Sequence, residues 1–290
     1  MTTIQWTDET WNPVTGCTRV SEGCRHCYIE TTPPFRMHGR KLGDPIQLHP
    51  DRLDAPLHWK KPRRVFVNSL SDLFHEDVPD EFMVSVYAVM VAAYQHTFQV
   101  LTKRPDRRRQ LLSLCSFREQ VAYESAKAIN KLREPHSLQA TQNLAYWNFD
   151  ASKNIHEGVS IENQQTADER IPILLQTSAS VRWVSYEPAL GPVDLTRYLA
   201  GEPRLNWIVV GGESGMKARP CDLAWIRSVV EQSKTAGVPV FVKQLGRIVL
   251  DGHVGRSGNV TAQSAWRFAD RKGGDPAEWP ADLRVRQYPR

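Results

Sequence analysis

Three cysteines lie close together near the amino terminus of this chain. Cys17, Cys24 and Cys27 have the spacing C-x6-C-x2-C within the segment TGCTRVSEGCRHCY. Thiolates are the soft ligands that iron–sulfur clusters require. Three thiolates from one loop can hold three irons of a [4Fe–4S] cube and leave the fourth iron open to a small molecule. The spacing therefore predicts a metal site with these three cysteines as ligands.

A structural zinc site is the alternative interpretation, with the three cysteines joined by His26 or by a distant ligand. A C-x2-C pair alone favours zinc. The chain has no second C-x2-C pair, however, because Cys115 and Cys221 are isolated. His26 lies between two of the ligands, which is a poor position for joining them on one tetrahedral metal. The spacing of the cysteines alone does not decide between an iron–sulfur cluster and a zinc ion.

Composition sets broad limits on the protein. The chain has 290 residues, of which 41% are hydrophobic, and a formal net charge of +5. This size suits an α/β barrel, and the mild positive charge is compatible with a nucleic-acid or nucleotide partner without establishing one. No run of 18 apolar residues is present, and the first residues lack an apolar signal region. We therefore expect a cytoplasmic protein with no membrane partner.

The elements that would position the cysteines alternate along the chain. Six short apolar, β-branched runs predict buried strands: Arg64–Leu70, Thr97–Thr102, Glu157–Ile161, Val181–Tyr186, Asn206–Val210 and Val238–Val242. Helices are predicted over Asp80–Tyr94, Gln164–Leu175 and Leu223–Ala236. A further short strand is expected near Thr10–Val14. This rhythm indicates a parallel sheet with right-handed crossovers, and thus the α/β class.

Two segments depart from this rhythm. Residues 117–149 are polar and helix-prone, and we interpret them as a helical insertion. Residues 247–290 are rich in Gly, Arg and Asp, with weak patterning around residues 262–268, and form a C-terminal extension. The remaining residues, 1–246, would form a partial parallel (β/α) barrel.

Polar residues follow all six predicted strands. They are Asn68-Ser69-Leu70-Ser71-Asp72, Thr102-Lys103-Arg104, Ser160-Ile161-Glu162-Asn163, Ser185-Tyr186-Glu187, Gly211-Gly212-Glu213 and Lys243-Gln244. In a parallel barrel these carboxyl ends converge on one mouth, where active sites are built. Each group also has an ordinary interpretation: Asp72 or Glu162 as a helix N-cap, Lys103 and Arg104 as solvated loop charges. Because polar residues recur at the ends of all six predicted strands, an active site at the mouth is favoured over separate ordinary roles.

A cluster above such a ring suits S-adenosylmethionine, whose amino acid end can chelate an open iron. One-electron transfer to this cofactor would cleave its sulfonium and release a radical. The order of features, with the cysteine loop ahead of the first long strand, is compatible with that chemistry.

The motifs together resemble a three-cysteine family carried by bacteriophages and prophages and regarded as radical-S-adenosylmethionine-like. They are WTDETWNPVTGC, GCRHCY, VNSLSDLFHEDVP, QVLTKRP, GVSIEN, VSYEPALGP, IVVGGESG, VKQLG and KGGDPAEWPADLRVRQYP. More distantly, the layout is similar to the spore photoproduct lyase branch of radical enzymes. The resemblance implies a barrel of the radical-S-adenosylmethionine type.

The resemblance also implies roles for individual residues. It gives the cluster to Cys17, Cys24 and Cys27. Cofactor contacts would come from Asn68, Ser69, Asp72, Thr102, Ser160 and Glu162, and catalytic groups from Lys103, Glu187 and Glu213. One departure stands out. Common radical-S-adenosylmethionine enzymes have C-x3-C-x2-C with an aromatic residue before the last cysteine, whereas this chain has a six-residue gap and His26.

The function expected from these residues is a radical enzyme with a [4Fe–4S] cluster, S-adenosylmethionine and an external electron donor. Its target would be a nucleobase, nucleoside or nucleic acid, since basic runs occur at residues 60–64 and 103–109. A solvated charged face is the ordinary interpretation of these runs. The alternatives are the same chemistry on a peptide or small metabolite, and a non-enzymatic zinc-stabilised nucleic-acid-binding protein.

Overall fold

The structure, a computed structural model, describes residues 4–132, 136–145, 148, 152–251 and 268–289. Its strands are β1 Glu9–Trp11, β2 Val14–Thr15, β3 Gln47–Leu48, β4 Arg64–Val67, β5 Thr97–Thr102, β6 Ile155–Ile161, β7 Val181–Tyr186, β8 Trp207–Gly211, β9 Cys221–Asp222, β10 Val240–Gln244 and β11 Val249–Leu250. All six long predicted strands are present, with ends that differ by a few residues. The short first strand is β1.

The α-helices among these residues are α1 Pro33–Met37, α2 Asp80–Ala92, α3 Pro105–Ser113, α4 Cys115–Ile129, α5 His136–Ala145, α6 Gln164–Leu175, α7 Thr196–Leu199 and α8 Leu223–Ala236. Short 3-10 helices occur at Glu22–Cys24, Tyr28–Thr31, Pro50–Arg52, Ala55–His58, Pro276–Glu278 and Ala281–Leu283. The predicted helices α6 and α8 have the expected bounds, and α2 ends two residues early. The Asp222 carboxylate caps α8 by accepting from Ala224 N at 2.8 Å, and Gly237 ends it with φ +65°.

The main sheet has seven strands, and the chain divides into two compact units. The first unit comprises Met1–Arg19, Ile29–Val159 and Ile173–Arg182. In it β1, β4, β5 and β6 lie side by side in that order, every pair parallel. One sheet face carries Val65, Val67, Phe98 and Val100, which share a buried apolar core with α2. Burial of these side chains is the main stabilising contribution in this unit.

The second unit comprises Val20–Tyr28, Ser160–Pro172 and Trp183–Arg290. Here β8 pairs in parallel with both β7 and β10. At the end of β8 the backbones approach closely, since a Cβ on Gly212 would lie 2.2 Å from the carbonyl oxygen of Leu245. Only glycine fits there, which explains why this strand ends in two glycines.

The parallel α/β fold class is confirmed, because β1–β4, β4–β5, β5–β6, β7–β8 and β8–β10 all pair in parallel and helices connect strands of the sheet. The radical-S-adenosylmethionine type of barrel stays a prediction. So do the insertion and the extension, although the helical character of residues 117–149 is present in α4 and α5. The weak patterning expected around residues 262–268 falls almost entirely outside the described residues. None of the helices described is both long and apolar enough to cross a bilayer.

Candidate functional site

Asp72 is the centre of a hydrogen-bonded group at the carboxyl ends of β4 and β5. It is 6% exposed. Its carboxylate accepts from the Thr102 hydroxyl at 2.7 Å, from Lys103 N at 3.0 Å and from Phe74 N at 3.0 Å. The guanidinium of Arg104 lies 3.3 Å from the second carboxylate oxygen. Asp72 and Thr102 therefore fix the turn between β5 and α3, which is a structural role.

Arg104 links this turn to the first cysteine. Its guanidinium donates to Cys17 Sγ at 3.9 Å and to the Thr18 hydroxyl at 2.6 Å, and forms an ion pair with Glu76 at 3.1 Å. Its side chain is 10% exposed, so the interpretation of Arg104 as a solvated loop charge is wrong. Burial alone would lower the pKa of Arg104, but the charges of Asp72 and of the Cys17 sulfur outweigh it and raise the pKa. The cation beside Cys17 is therefore permanent.

His75 forms a hydrogen bond with Thr18, the residue that follows Cys17. Its Nδ1 accepts from Asp77 N at 3.2 Å, so the proton is on Nε2, which donates to the Thr18 hydroxyl at 2.9 Å. Burial lowers the pKa of His75, and the neighbouring Arg104 lowers it further. A neutral His75 and a charged Arg104 thus hold the Cys17–Thr18 backbone from two sides.

Asn68 and Ser69, predicted cofactor contacts, serve the strands around them. Asn68 has φ +59°, and its amide oxygen accepts from Val14 N at 3.4 Å. Its Nδ2 is buried and finds no acceptor among the described residues. The Ser69 hydroxyl donates to the Asn12 side chain at 3.2 Å. These contacts fasten the β1–β2 turn, which ends four residues before Cys17, to the end of β4.

In the second unit, Glu162 follows β6 and is 1% exposed. Arg170 of α6 lies 3.1 Å from one carboxylate oxygen, and the Ser21 hydroxyl donates to the other at 2.9 Å. Ser21 Oγ is also 4.0 Å from Cys24 Sγ. Gly23 packs directly on this carboxylate, since a Cβ there would lie 2.3 Å from Glu162 Oε1. The paired carboxylate thus forms the surface on which the turn before Cys24 rests.

Glu213 also contacts the cysteine loop, at His26 in the turn between Cys24 and Cys27. It accepts from Arg219 N at 2.8 Å and from the Arg219 guanidinium at 2.9 Å, and lies 3.4 Å from His26 Nδ1. Burial alone would raise the pKa of Glu213, but the hydrogen bonds from Arg219 outweigh it and lower the pKa. Glu213 therefore remains an anion that orients the His26 ring.

Glu187 and Lys243 form an ion pair at the ends of β7 and β10. Lys243 Nζ lies 3.0 Å from Glu187 Oε1, and the Ser185 hydroxyl donates to the other oxygen at 3.3 Å. The predicted cofactor contact Ser160 donates to the backbone oxygen of Glu187 at 3.3 Å. A Cβ on Gly211 would lie 2.7 Å from Glu187 Oε1, so glycine makes room for this carboxylate. The pair is a partly exposed charge site at the strand ends.

The three cysteines suit a soft metal by donor type. All are partly exposed free thiols, and none is in a disulfide. Thiolates from one stretch of eleven residues are the donors that an iron–sulfur cluster or zinc takes. Within the described ranges, no group of three His, Cys, Asp or Glu side chains is gathered closely enough to hold a metal ion. The donor chemistry of the three cysteines fits either group.

A family model covers residues 1–272 of the chain. The chain belongs to this family. Its description is "Protein of unknown function (DUF5131)". No curated protein and no solved structure matches the chain. The family assignment therefore brings no activity with it, and function has to be argued from the residues of the site.

Sequence reasoning missed the cations that hold the predicted carboxylates. Arg170 and Arg219 each neutralise one of the two glutamates that contact the cysteine loop, while Arg104 serves Asp72 and Cys17. For Arg104 a signal existed, because it follows the polar end of β5 directly. For Arg170 the signal was its position eight residues after Glu162, at which a helix returns a side chain to the strand end. Lys103 is placed by its backbone bond to Asp72, which leaves its catalytic role a prediction.

Proposed function

We propose that the chain is a radical S-adenosylmethionine enzyme whose [4Fe–4S] cluster is held by Cys17, Cys24 and Cys27. The observation that carries this proposal is the anchoring of the loop that bears Cys24 and Cys27. Ser21, Gly23 and His26 of that loop contact Glu162 and Glu213, which follow two strands of a parallel sheet. Carboxyl ends of parallel strands are where cofactor chemistry is usually built.

The cluster, when bound, would supply the one-electron reduction of the cofactor's sulfonium. The chain's own residues prepare the ligands for this group. Arg104 favours the thiolate form of Cys17, since a cation near a sulfur stabilises its negative charge. Glu162 and Glu213 restrict the loop to few conformations, which lowers the entropy lost when thiols are brought onto a metal. An external electron donor is required.

The Glu187–Lys243 pair is the proposed place for substrate or cofactor polar groups. Both side chains are only partly buried, so a ligand can exchange for the ion pair without leaving a charge stranded in the core. A nucleobase, nucleoside or nucleic acid is the proposed target. It is supported by the net positive charge of the chain. A peptide or small metabolite is the alternative target.

One observation favours the zinc-stabilised binding protein as a second candidate. His26 faces the Glu213 carboxylate through Nδ1, and a carboxylate in that position is the usual outer partner of a zinc-ligating histidine. Nε2 would then be the metal-binding nitrogen. In this arrangement His26 would join cysteines of its own loop on zinc, with no redox chemistry.

Anaerobic reconstitution with iron and sulfide separates the two candidates. Electron paramagnetic resonance of the reduced protein should show a [4Fe–4S]⁺ signal that changes when S-adenosylmethionine is added. Uptake of zinc without a cube, together with indifference to S-adenosylmethionine, would remove the radical proposal. A separate measurement distinguishes the targets of the radical enzyme. DNA binding that weakens steeply with salt would favour a nucleic-acid target over a peptide or metabolite.

A further inference from the structure

A small cavity of the first unit lies at the end of α3. Its volume is about 210 Å³. Its polar lining consists of Arg109, Arg118, Arg182, Ser113, Gln176, Thr177 and Ser178. We call this cavity the arginine pocket. A liquid water molecule occupies about 30 Å³, so the pocket is much larger than one ordered water requires.

Three arginines line the arginine pocket, and its lining contains no Asp or Glu. Arg118 Nε donates to the Leu112 carbonyl at 3.0 Å, and Arg182 donates to the Thr177 carbonyl at 2.9 and 3.1 Å. These bonds satisfy carbonyls near helix ends, which is an ordinary structural role for arginine. They also fix two of the three cations in place.

Arg109 has no such role. Its side chain forms neither a hydrogen bond nor an ion pair within the part of the chain that the structure describes. Its side chain nevertheless lines the pocket with the two fixed arginines. Like charges at short distance repel each other, and an anion in the pocket would relieve this repulsion. Bonds to backbone carbonyls therefore explain Arg118 and Arg182 but not Arg109.

The lining also indicates which anion fits. Guanidinium groups bind phosphate oxygens in pairs, with two parallel N–H···O bonds. The hydroxyls of Ser113 and Thr177 already donate to the carbonyls of Gln110 and Ile173, at 2.7 and 2.9 Å, so the arginines are the donors that matter here. The guanidinium of Arg109 alone carries five N–H donors, which suit the three or four oxygens of a phosphate group better than the two of a carboxylate.

We propose that the arginine pocket binds a phosphate group. The pocket lies apart from Cys17, because α3 begins next to Arg104, which contacts Cys17, and ends at Ser113, about 13 Å further along its axis. The proposal does not depend on the cluster, since none of the three proposed cysteine ligands lines the pocket. The phosphate can be a free anion or part of a nucleic-acid backbone, and the two sources differ in what else they contact.

The test is calorimetric titration of the whole chain with inorganic pyrophosphate at low salt. The Arg109→Gln variant is expected to bind at least about tenfold more weakly, because a charge-assisted bond to phosphate is lost. It should fold normally, as Arg109 holds no other part of the chain. Arg36→Gln is the matched control, since it removes the same charge from an exposed position on α1.

Titration with a single-stranded oligonucleotide identifies the source of the phosphate. If the pocket serves a nucleic-acid backbone, the oligonucleotide binds more tightly than pyrophosphate, and Arg109→Gln weakens both and flattens the salt dependence. If it serves a free anion, only pyrophosphate responds to Arg109→Gln. Equal affinity of the wild type and Arg109→Gln for both probes, or an equal loss in Arg36→Gln, would overturn the proposal, as would an absence of binding to either probe.

Discussion

Arg104 donates a hydrogen bond to the sulfur of Cys17, with Nη1 and Sγ 3.9 Å apart. The same guanidinium is held by Asp72 and Glu76, so its position does not depend on the cysteine. A fixed cation next to a thiol favours the thiolate, which is the form that attacks electrophiles and binds metals. The arrangement thus favours the thiolate that the proposed role of Cys17 as a metal ligand requires.

The Arg104→Gln substitution is expected to slow alkylation of Cys17 by iodoacetamide at pH 7 about tenfold, because an opposite charge nearby typically changes the thiolate fraction by that order. The rate is measured by mass spectrometry of the Cys17 peptide. Arg104→Lys keeps the charge but loses the forked contacts, and should fall between the two. If Arg104→Gln reacts as fast as the wild type while remaining folded, the guanidinium does not control the sulfur.

Replacement of the three cysteines tests the proposed ligand set. Cys17→Ala, Cys24→Ala and Cys27→Ala should each abolish cluster assembly after anaerobic reconstitution, because three thiolates are the minimum for a cube with one open iron. Bound iron and the visible absorbance of the cluster are the measurements. Cys115→Ala is the matched control, since Cys115 is an exposed free thiol and should leave both unchanged. Full absorbance in any of the three variants would remove that cysteine from the set.

Most of the fold could be predicted from the sequence because its strands are buried on both faces. Such strands are continuous apolar runs, and their ends fall where polar residues begin. The helix α3 was missed because Pro105-Asp106-Arg107-Arg108-Arg109 reads as a charged loop. In the structure Arg108 is fully buried against Glu157, so a charge run that suggested solvent contains a core residue.

The candidate site could be predicted only in part. The positions of the polar strand ends were correct, but their partners depend on contacts that span up to 187 residues, as for His26 and Glu213. Asp72 was assigned to a cofactor, yet four protein donors already surround its carboxylate. No local pattern distinguishes a carboxylate that waits for a ligand from one that ties a turn together.

Gly23 offers a test of the contact between the loop and Glu162. A Cβ at this position would lie 2.3 Å from Oε1 and 2.5 Å from Cγ of Glu162, which is held by Arg170 and Ser21. Gly23→Ala should therefore displace the loop or the carboxylate and lower the free energy of unfolding by about 1–3 kcal/mol, as overpacking usually does. Urea denaturation measures the change.

Gly215→Ala is the control for this substitution, because nothing lies within 4 Å of a Cβ at Gly215. The Gly23→Ala protein should also assemble less cluster than the Gly215→Ala protein under the same reconstitution. A Gly23→Ala chain with the stability and cluster content of the control would show that the loop does not rest on Glu162.

His156 makes the stability of the fold depend on pH. This residue of β6 is buried, and burial lowers its pKa from 6.5 to about 4. The folded chain therefore holds the ring neutral, while the unfolded chain protonates it near pH 6.5. The contribution is present in full above pH 6.5, is lost as the pH falls toward 4, and amounts to about 3 kcal/mol.

Urea denaturation of the wild type should accordingly show that the free energy of unfolding falls between pH 7 and pH 4. His75 and His49 contribute to this fall, because burial also lowers their pKa values. The difference between the wild type and His156→Gln isolates the single ring, because the variant lacks the titrating group and should lose about 3 kcal/mol less over this range. His38→Gln, at an exposed position, should follow the wild type. Parallel curves for the wild type and His156→Gln would mean that the ring titrates in the folded chain as it does in water.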